Sequence, residues 1–242
     1  MGLGKWESFL SDHIEGFFNK RFDSDLEPVE LMNGMEKEMQ RQADGKADCA
    51  LTNAFRFSLS AEDYHRLCSK RVIEELCLTA MRQVIVLDGV MEGDLSVHME
   101  ENEALTRGRF RLQATMGGTV PQKDDTLVLE RTELTRDMPL NLPLDRQVAS
   151  LTVIEGPDAD AYLAIGEHPV YIGRRDKNEF ILTDANASRL HAWISYEAHR
   201  HELHDAKSTN GTFVNGRRIT SCRLRAGDRI RTGETIFVYE VI

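Results

Sequence analysis

Apolar positions change their spacing along the chain, and the change divides it into parts. In residues 3–22, Trp6, Phe9, Leu10, Ile14, Phe17 and Phe18 recur at helical spacing and predict an amphipathic helix that Lys20 and Arg21 close. A second helix is expected from Pro28, a favoured first-turn residue, to about Gln42, with Leu31, Met32, Met35 and Met39 as its apolar stripe. Leu51 to Leu59 alternates as a strand, with Leu51, Phe55, Phe57 and Leu59 on one face and Asn53 on the same side. Ser60, with Asp63 three residues on, reads as a capping box opening one long helix whose apolar face runs from Leu67 to Val84. Strands follow at 94–100 and 107–113. The first 115 residues therefore read as a small α+β domain, two helices then β-α-β-β.

Residues 116–147 break the pattern. Gly117-Gly118, Pro121, Asp124-Asp125, Pro139 and Pro143 interrupt them, as expected of a linker. The short apolar patch Leu127–Leu129 could add an edge strand, and Thr126, Thr132 and Thr135 lie on the same stretch. From Val148 onward short β-rich runs recur at 150–155, 162–165, 170–172, 180–182, 192–196, 200–205, 212–214, 229–231 and 235–241. Asn215-Gly216 between two such runs is a type I′ hairpin signal. Residues 148–242 are thus expected to form an all-β sandwich or barrel.

Charge and cysteines narrow the function classes. The net charge of −10 is carried by the first half: residues 1–150 hold 18 Lys and Arg against 27 Asp and Glu, residues 151–242 hold 12 against 13. An acidic chain argues against non-specific nucleic-acid binding. Arg107, Arg109 and Arg111 on one strand face keep an RNA-binding reading of the first half open, against its charge. Cys49, Cys68, Cys77 and Cys222 form no CxxC pair and read as reduced thiols of a cytoplasmic protein. No apolar run is long enough to span a bilayer, and Met1-Gly2 lacks the Ser or Thr at position 6 that myristoylation asks for. Membrane insertion is therefore not expected, although partners could recruit the chain to the membrane or to the division site. His199, Glu202 and His204 superficially suggest metal, but the two histidines fall on opposite faces of a strand and no fourth ligand is evident.

The candidate chemistry lies between Tyr171 and Thr212. Three polar clusters end short apolar runs there: Gly173-Arg174, Ser188-Arg189-Leu190-His191 and Ser208-Thr209-Asn210-Gly211. All offer donors to an anion, and no nucleophile, base and orienter stand together. The pattern points to capture of a phosphate without catalysis. A sandwich collects its loops at its two ends, so the clusters can meet. Arg174 would offer a planar fork, Ser188 a hydroxyl and the Arg189 backbone an N–H. A phosphothreonine carries about −1.5 to −2 charges at neutral pH. Charge-assisted hydrogen bonds contribute roughly 1.5–3 kcal/mol each, so binding would depend on the phosphate.

Tyr171-Ile172-Gly173-Arg174, Ser188-Arg189-Leu190-His191-Ala192 and Ser208-Thr209-Asn210-Gly211-Thr212-Phe213-Val214-Asn215-Gly216 resemble the motifs of a forkhead-associated (FHA) domain, as does the closing Leu224-x-x-Gly227-Asp228-x-Ile230-x-x-Gly233. The resemblance covers about residues 148–242. It implies an eleven-stranded sandwich that reads phosphothreonine through its end loops. It further implies that Arg174 and Ser188 bind the phosphate, with Arg189 beside it. Thr209 would shape the phosphate and methyl pocket, and Asn210 would bond the peptide backbone. Gly173, His191 and Gly211 would be structural. Asn186 falls where the family reads the third residue after the phosphothreonine; being neither Arg nor Lys, it carries over no acidic preference.

The first 115 residues resemble the N-terminal domain of actinobacterial FhaA-type proteins. Leu51-Thr52-Asn53-Ala54-Phe55, Leu59-Ser60-x-x-Asp63-Tyr64, Gly108-Arg109-Phe110-Arg111 and Glu27-Pro28-Val29-Glu30-Leu31 carry this likeness, and the tether is shorter than is usual there. The resemblance implies a non-catalytic adaptor without cofactor, linked to Ser/Thr kinases, cell-wall synthesis and division. Its partners would be phosphothreonine proteins, including an autophosphorylated kinase or pseudokinase, and a second partner at residues 1–115. An alternative is a self-regulated switch whose FHA site binds its own phosphorylated linker and so closes or oligomerises.

Overall fold

A computed structural model describes residues 14–19, 25–117 and 146–242, with the backbone alone for 14–19. The expected helical residues 3–13 and 20–22, and most of the linker with Leu127–Leu129, Thr126, Thr132 and Thr135, lie outside the described residues.

The N-terminal elements are β1 (Ile14–Asn19), α1 (Pro28–Ala43), β2 (Ala54–Leu59), α2 (Ala61–Leu67), α3 (Lys70–Val86), β3 (Ser96–Glu101) and β4 (Arg109–Thr115). Their sheet has the order β1-β4-β2-β3, with β2 and β3 parallel and the other neighbours antiparallel. A parallel pair needs a long crossover, and α2 and α3 supply it. Phe57 stands in register with Met99 on one side and Leu112 on the other, and all three are buried. Phe55 and Leu59 share that face, while Arg56 and His98 face the other way. The helix α1 turns Leu31, Met35 and Met39 inward; each fully buried side chain of this size stabilises the fold by about 1.5–3 kcal/mol.

Three expectations need correction here. Residues 14–19 are a strand and not the middle of a helix; Phe18 pairs with Phe110 across β1 and β4. The aromatics at 17 and 18 suit a strand as well as a helix, and Gly16 costs a helix interior about 1 kcal/mol. The edge of β4 then offers the segment a full ladder of backbone hydrogen bonds. The first half is α+β as expected, but its order is β-α-β-α-α-β-β. The single helix expected after Ser60 is two: it stops at Leu67 and restarts at Lys70. Ser69 causes the restart, because its hydroxyl accepts the Val72 N–H (3.4 Å) while its carbonyl accepts that of Ile73 (3.1 Å). Ser60 does cap α2, accepting from the Asp63 N–H at 3.2 Å. Asp63 does not reach back to complete a box. It is fully buried and accepts from Arg66 (2.9 Å), the Gly108 N–H (2.8 Å) and the Ser60 hydroxyl (3.0 Å). Burial alone would raise its carboxyl; those donors outweigh it and hold the group ionised, below the ordinary carboxylate range.

The C-terminal part carries β5 (Ala149–Glu155), β6 (Tyr162–Ile165), β7 (Val170–Gly173), β8 (Phe180–Ile181), β9 (Ala192–Glu197), β10 (Arg200–Asp205), β11 (Thr212–Val214), β12 (Arg217–Ile219), β13 (Ser221–Arg223), β14 (Arg229–Thr232) and β15 (Thr235–Val241). Among the described residues these strands form two sheets, β13-β10-β9-β7-β8 and β12-β11-β14-β15-β5-β6. The expected sandwich is therefore present; β13 had no sequence signal of its own. Asn215 and Gly216 have φ of 51° and 79°, the double positive φ of a type I′ turn, and Val214 pairs with Arg217 across it.

Ile172, Ile194 and Leu203 from one sheet and Leu151, Val153, Ile230 and Phe237 from the other form the core. Phe180 meets Phe237 edge-on at 5.1 Å. Two polar groups are built into the interior. His201 bonds the Tyr239 hydroxyl through Nδ1 and the Gly166 carbonyl through Nε2, both at 2.8 Å. Residues Met81–Val90 belong to the same compact unit as the sandwich. Within it the buried Arg200 donates to the Gly89 carbonyl (2.8 Å), the Asp88 carboxylate (2.8 Å) and the Leu224 carbonyl (3.1 Å). No helix among the described residues is long and apolar enough to cross a membrane.

Candidate functional site

The three polar clusters converge at one end of the sandwich. The turn after β7 is pressed against the loop between β8 and β9: the Arg174 N–H donates to the Ser188 carbonyl (3.1 Å) and the Arg175 N–H to the Arg189 carbonyl (3.0 Å). Gly173 makes this approach feasible. Its φ is +151°, and a Cβ there would lie 2.7 Å from both the Ser188 and Arg189 carbonyl oxygens. The loop between β10 and β11 joins from the other side, where the Thr209 N–H donates to the Ser188 hydroxyl at 3.0 Å. The Asn210 amide donates to the Asn186 carbonyl at 2.7 Å.

Arg174 is exposed but anchored at its root. Its Nε donates to the Ala187 carbonyl at 2.7 Å, which fixes the plane of the guanidinium and leaves both terminal nitrogens for a ligand. Ser188 is half-buried; its hydroxyl accepts the Thr209 N–H at 3.0 Å and donates weakly, at 3.5 Å, to the Thr209 hydroxyl. Arg189 is held through its carbonyl by Arg175 and by the amide of the buried Asn178 (3.0 Å), and its side chain is exposed. Arg175, Lys177 and Lys207 are also exposed nearby along the chain, interleaved with the exposed Asp176 and Glu179. A cradle of fixed donors with two arginines suits a dianionic phosphate.

His191 is fully buried behind the site. Its Nδ1 accepts the Ser188 N–H at 2.9 Å and its Nε2–H donates to the Gly211 carbonyl at 3.2 Å. Acceptance at Nδ1 requires the neutral ring, with its proton on Nε2. Burial lowers its basicity, partly offset by the Gly211 carbonyl. One imidazole thus ties the Ser188 loop to the Asn210 loop.

Several positioning residues were not singled out in the sequence. Asp205 accepts from the Ser208 hydroxyl (2.5 Å) and the Thr212 hydroxyl (2.8 Å), shaping the Thr209-Asn210 loop. Asp184 is buried and accepts through one oxygen from the Asn186 N–H (2.8 Å), and through the other from the Glu234 N–H (2.7 Å), the Thr235 N–H (3.0 Å) and the Thr235 hydroxyl (3.0 Å). Burial works to raise the carboxyls of both Asp184 and Asp205; the surrounding donors prevail and hold them ionised. Asp184-Ala185-Asn186 has the form of an Asx turn, a signal readable in sequence. The link from Asp184 to Glu234 and Thr235 spans fifty residues and leaves no local trace. His204, set aside above as a metal ligand, stacks on Trp193 at 4.0 Å between ring centres and bonds the Ser195 hydroxyl at 2.9 Å.

The family models agree with this geometry. Residues 170–233 match the FHA domain, and residues 3–113 match the FhaA N-terminal domain. FHA domain-containing protein FhaB of Mycobacterium tuberculosis is 37% identical over 86 residues, which is 35% of this chain and 56% of that protein. An oxoglutarate dehydrogenase inhibitor of Corynebacterium efficiens is 33% identical over 99 residues, 41% of this chain and 68% of that protein. The matched segment thus spans little more than half the length of the FhaB relative. The solved FhaA FHA domain, complexed with the intracellular domain of Rv3910, is 29% identical, with 38% of this chain and 99% of that chain covered at a TM-score of 0.36. The two matched models lie on the two regions whose motifs resembled them, and on that ground the chain belongs to the FHA-domain proteins of the actinobacterial FhaA type.

Proposed function

We propose that this protein is a non-catalytic, phosphothreonine-dependent adaptor in Ser/Thr-kinase signalling, with Arg174, Ser188, Arg189, Thr209 and Asn210 as its binding site. FHA domains recognise phosphorylated motifs with clustered arginines. The observation that carries the reading is the state of Arg174. Its Nε is bonded to the Ala187 carbonyl, so the fork is aimed before any ligand arrives, next to a Ser188 hydroxyl that is itself oriented by Thr209. Pre-orientation of this kind lowers the entropy lost on binding. The ligands are phosphothreonine segments of partner proteins, an autophosphorylated kinase or pseudokinase among them. Asn210 holds the ligand backbone, and the half formed by residues 1–115 engages a second partner. The link to cell-wall synthesis and division is proposed by analogy with FhaA-type proteins, whose N-terminal domain residues 3–113 match.

The test is a pair of substitutions. Arg174→Ala is expected to weaken phosphothreonine-peptide binding by at least about 10-fold, one charge-assisted bond being worth roughly 1.5–3 kcal/mol. Arg174→Lys should recover only part of it, since a lysine cannot form the fork. The circular dichroism spectrum should be unchanged in both. Unaltered affinity in the alanine variant would place the phosphate elsewhere.

A further inference from the structure

Arg174 and Arg189 mark one flank of the site, and a carboxylate, Glu234, marks another. Asn186 lies two residues before Ser188, and its side-chain amide donates to the Glu234 carboxylate at 2.9 Å. Both residues are exposed. The placement of Glu234 is built in. Gly233 approaches the Asp184–Ala187 backbone so closely that a Cβ would lie 2.6 Å from the Asp184 carboxylate and 2.8 Å from the Asn186 carbonyl carbon. Asp184 then grips the Glu234 N–H at 2.7 Å. A carboxylate has about four acceptor positions, and Asn186 occupies one. Of the nearby cations, Arg231 is directed to the Gly233 carbonyl (3.1 Å) and lies over the Phe213 ring at 3.8 Å. Arg174 serves the phosphate side through Ala187.

This rests on the phosphothreonine reading above. With the phosphate at Arg174 and Ser188 and the ligand backbone at Asn210, an extended ligand advances about 3.3 Å per residue. Asn210 is bonded to Asn186 and Asn186 to Glu234, so these side chains lie within a few residues' reach of a ligand backbone held at Asn210. We propose that Glu234 is a specificity-determining residue, which makes the subsite beside Asn186 accept a lysine or arginine of the ligand and reject an aspartate or glutamate. The ligand class is then a phosphothreonine segment with a basic residue on one flank, placed to meet the Glu234 carboxylate.

The experiment uses the full chain and a family of phosphothreonine peptides on an alanine background. A single Lys, or a single Asp, is walked through the four positions on each side of the phosphothreonine, and affinities are read by calorimetry. In the wild type one position should favour Lys over Asp by about 3-fold or more, as expected of one partly exposed charge pair. Glu234→Gln should level that preference, and Glu234→Lys should reverse it, each read as the ratio of Lys-peptide to Asp-peptide affinity within one protein. Tight phosphopeptide binding without charge preference at any position, or a preference that survives both substitutions, overturns the role of Glu234 and leaves the phosphothreonine reading intact. Failure of every phosphopeptide to bind overturns both.

Discussion

At the residue scale the site depends on one glycine more than on any charged group. Gly173 lets the β7 turn lie against the carbonyls of Ser188 and Arg189, and its φ of +151° is itself disfavoured for other residues. Gly173→Ala is expected to lower stability by roughly 2 kcal/mol or more and to weaken phosphopeptide binding, because the turn and the Ser188 loop must separate. Denaturant titration and calorimetry on the same variant check both effects; a stable variant with full affinity would show that the contact is dispensable. The reading of individual residues from sequence was uneven for a physical reason. Arg174, Ser188, Thr209 and Asn210 are brought together, since each lies in a loop between strands whose patterns are local. Asp184 and Glu234 act through space, across fifty residues, and became visible only when β14 and β15 were placed beside the loop after β8.

Elements were legible where one signal dominated. The strands 162–165, 200–205, 212–214 and 235–241 have the expected bounds, and the Asn215-Gly216 hairpin follows from its turn chemistry alone. The segment at 14–19 failed that test, because Phe17 and Phe18 fit both periods and pairing with β4 decided between them. Ser69, which splits α2 from α3, reads as an ordinary helical position until its hydroxyl is seen to cap. The sandwich also carries a pH dependence of its own. His201 is buried between Tyr239 and the Gly166 carbonyl, and burial lowers its pKa from about 6.5 to about 4. A depressed histidine contributes its full stability above the unfolded value of about 6.5. That contribution is lost progressively as pH falls toward the folded value of about 4. From pH 7 to pH 5 the domain should therefore lose about 2 kcal/mol through this residue. Urea denaturation at the two pH values, for the wild type and His201→Gln, checks it: the variant should be less stable at pH 7 and show a smaller pH difference. An equal difference in both proteins would assign the effect to other groups.

The whole chain pairs an FHA domain with an FhaA-type N-terminal domain, and charge is unevenly divided along it. The acidic surplus lies in residues 1–150, whereas residues 151–242 hold 12 Lys and Arg against 13 Asp and Glu. The central claim of the proposed function is that the phosphate decides binding at the FHA domain. The most direct measurement is calorimetric titration of the full chain with matched phosphothreonine, phosphoserine and unmodified peptides from a flank-randomised set. The account predicts binding to phosphothreonine, weaker binding to phosphoserine because the threonine methyl loses its contact near Thr209, and none to the unmodified peptide. Equal affinity for the phosphorylated and unmodified peptides would contradict it.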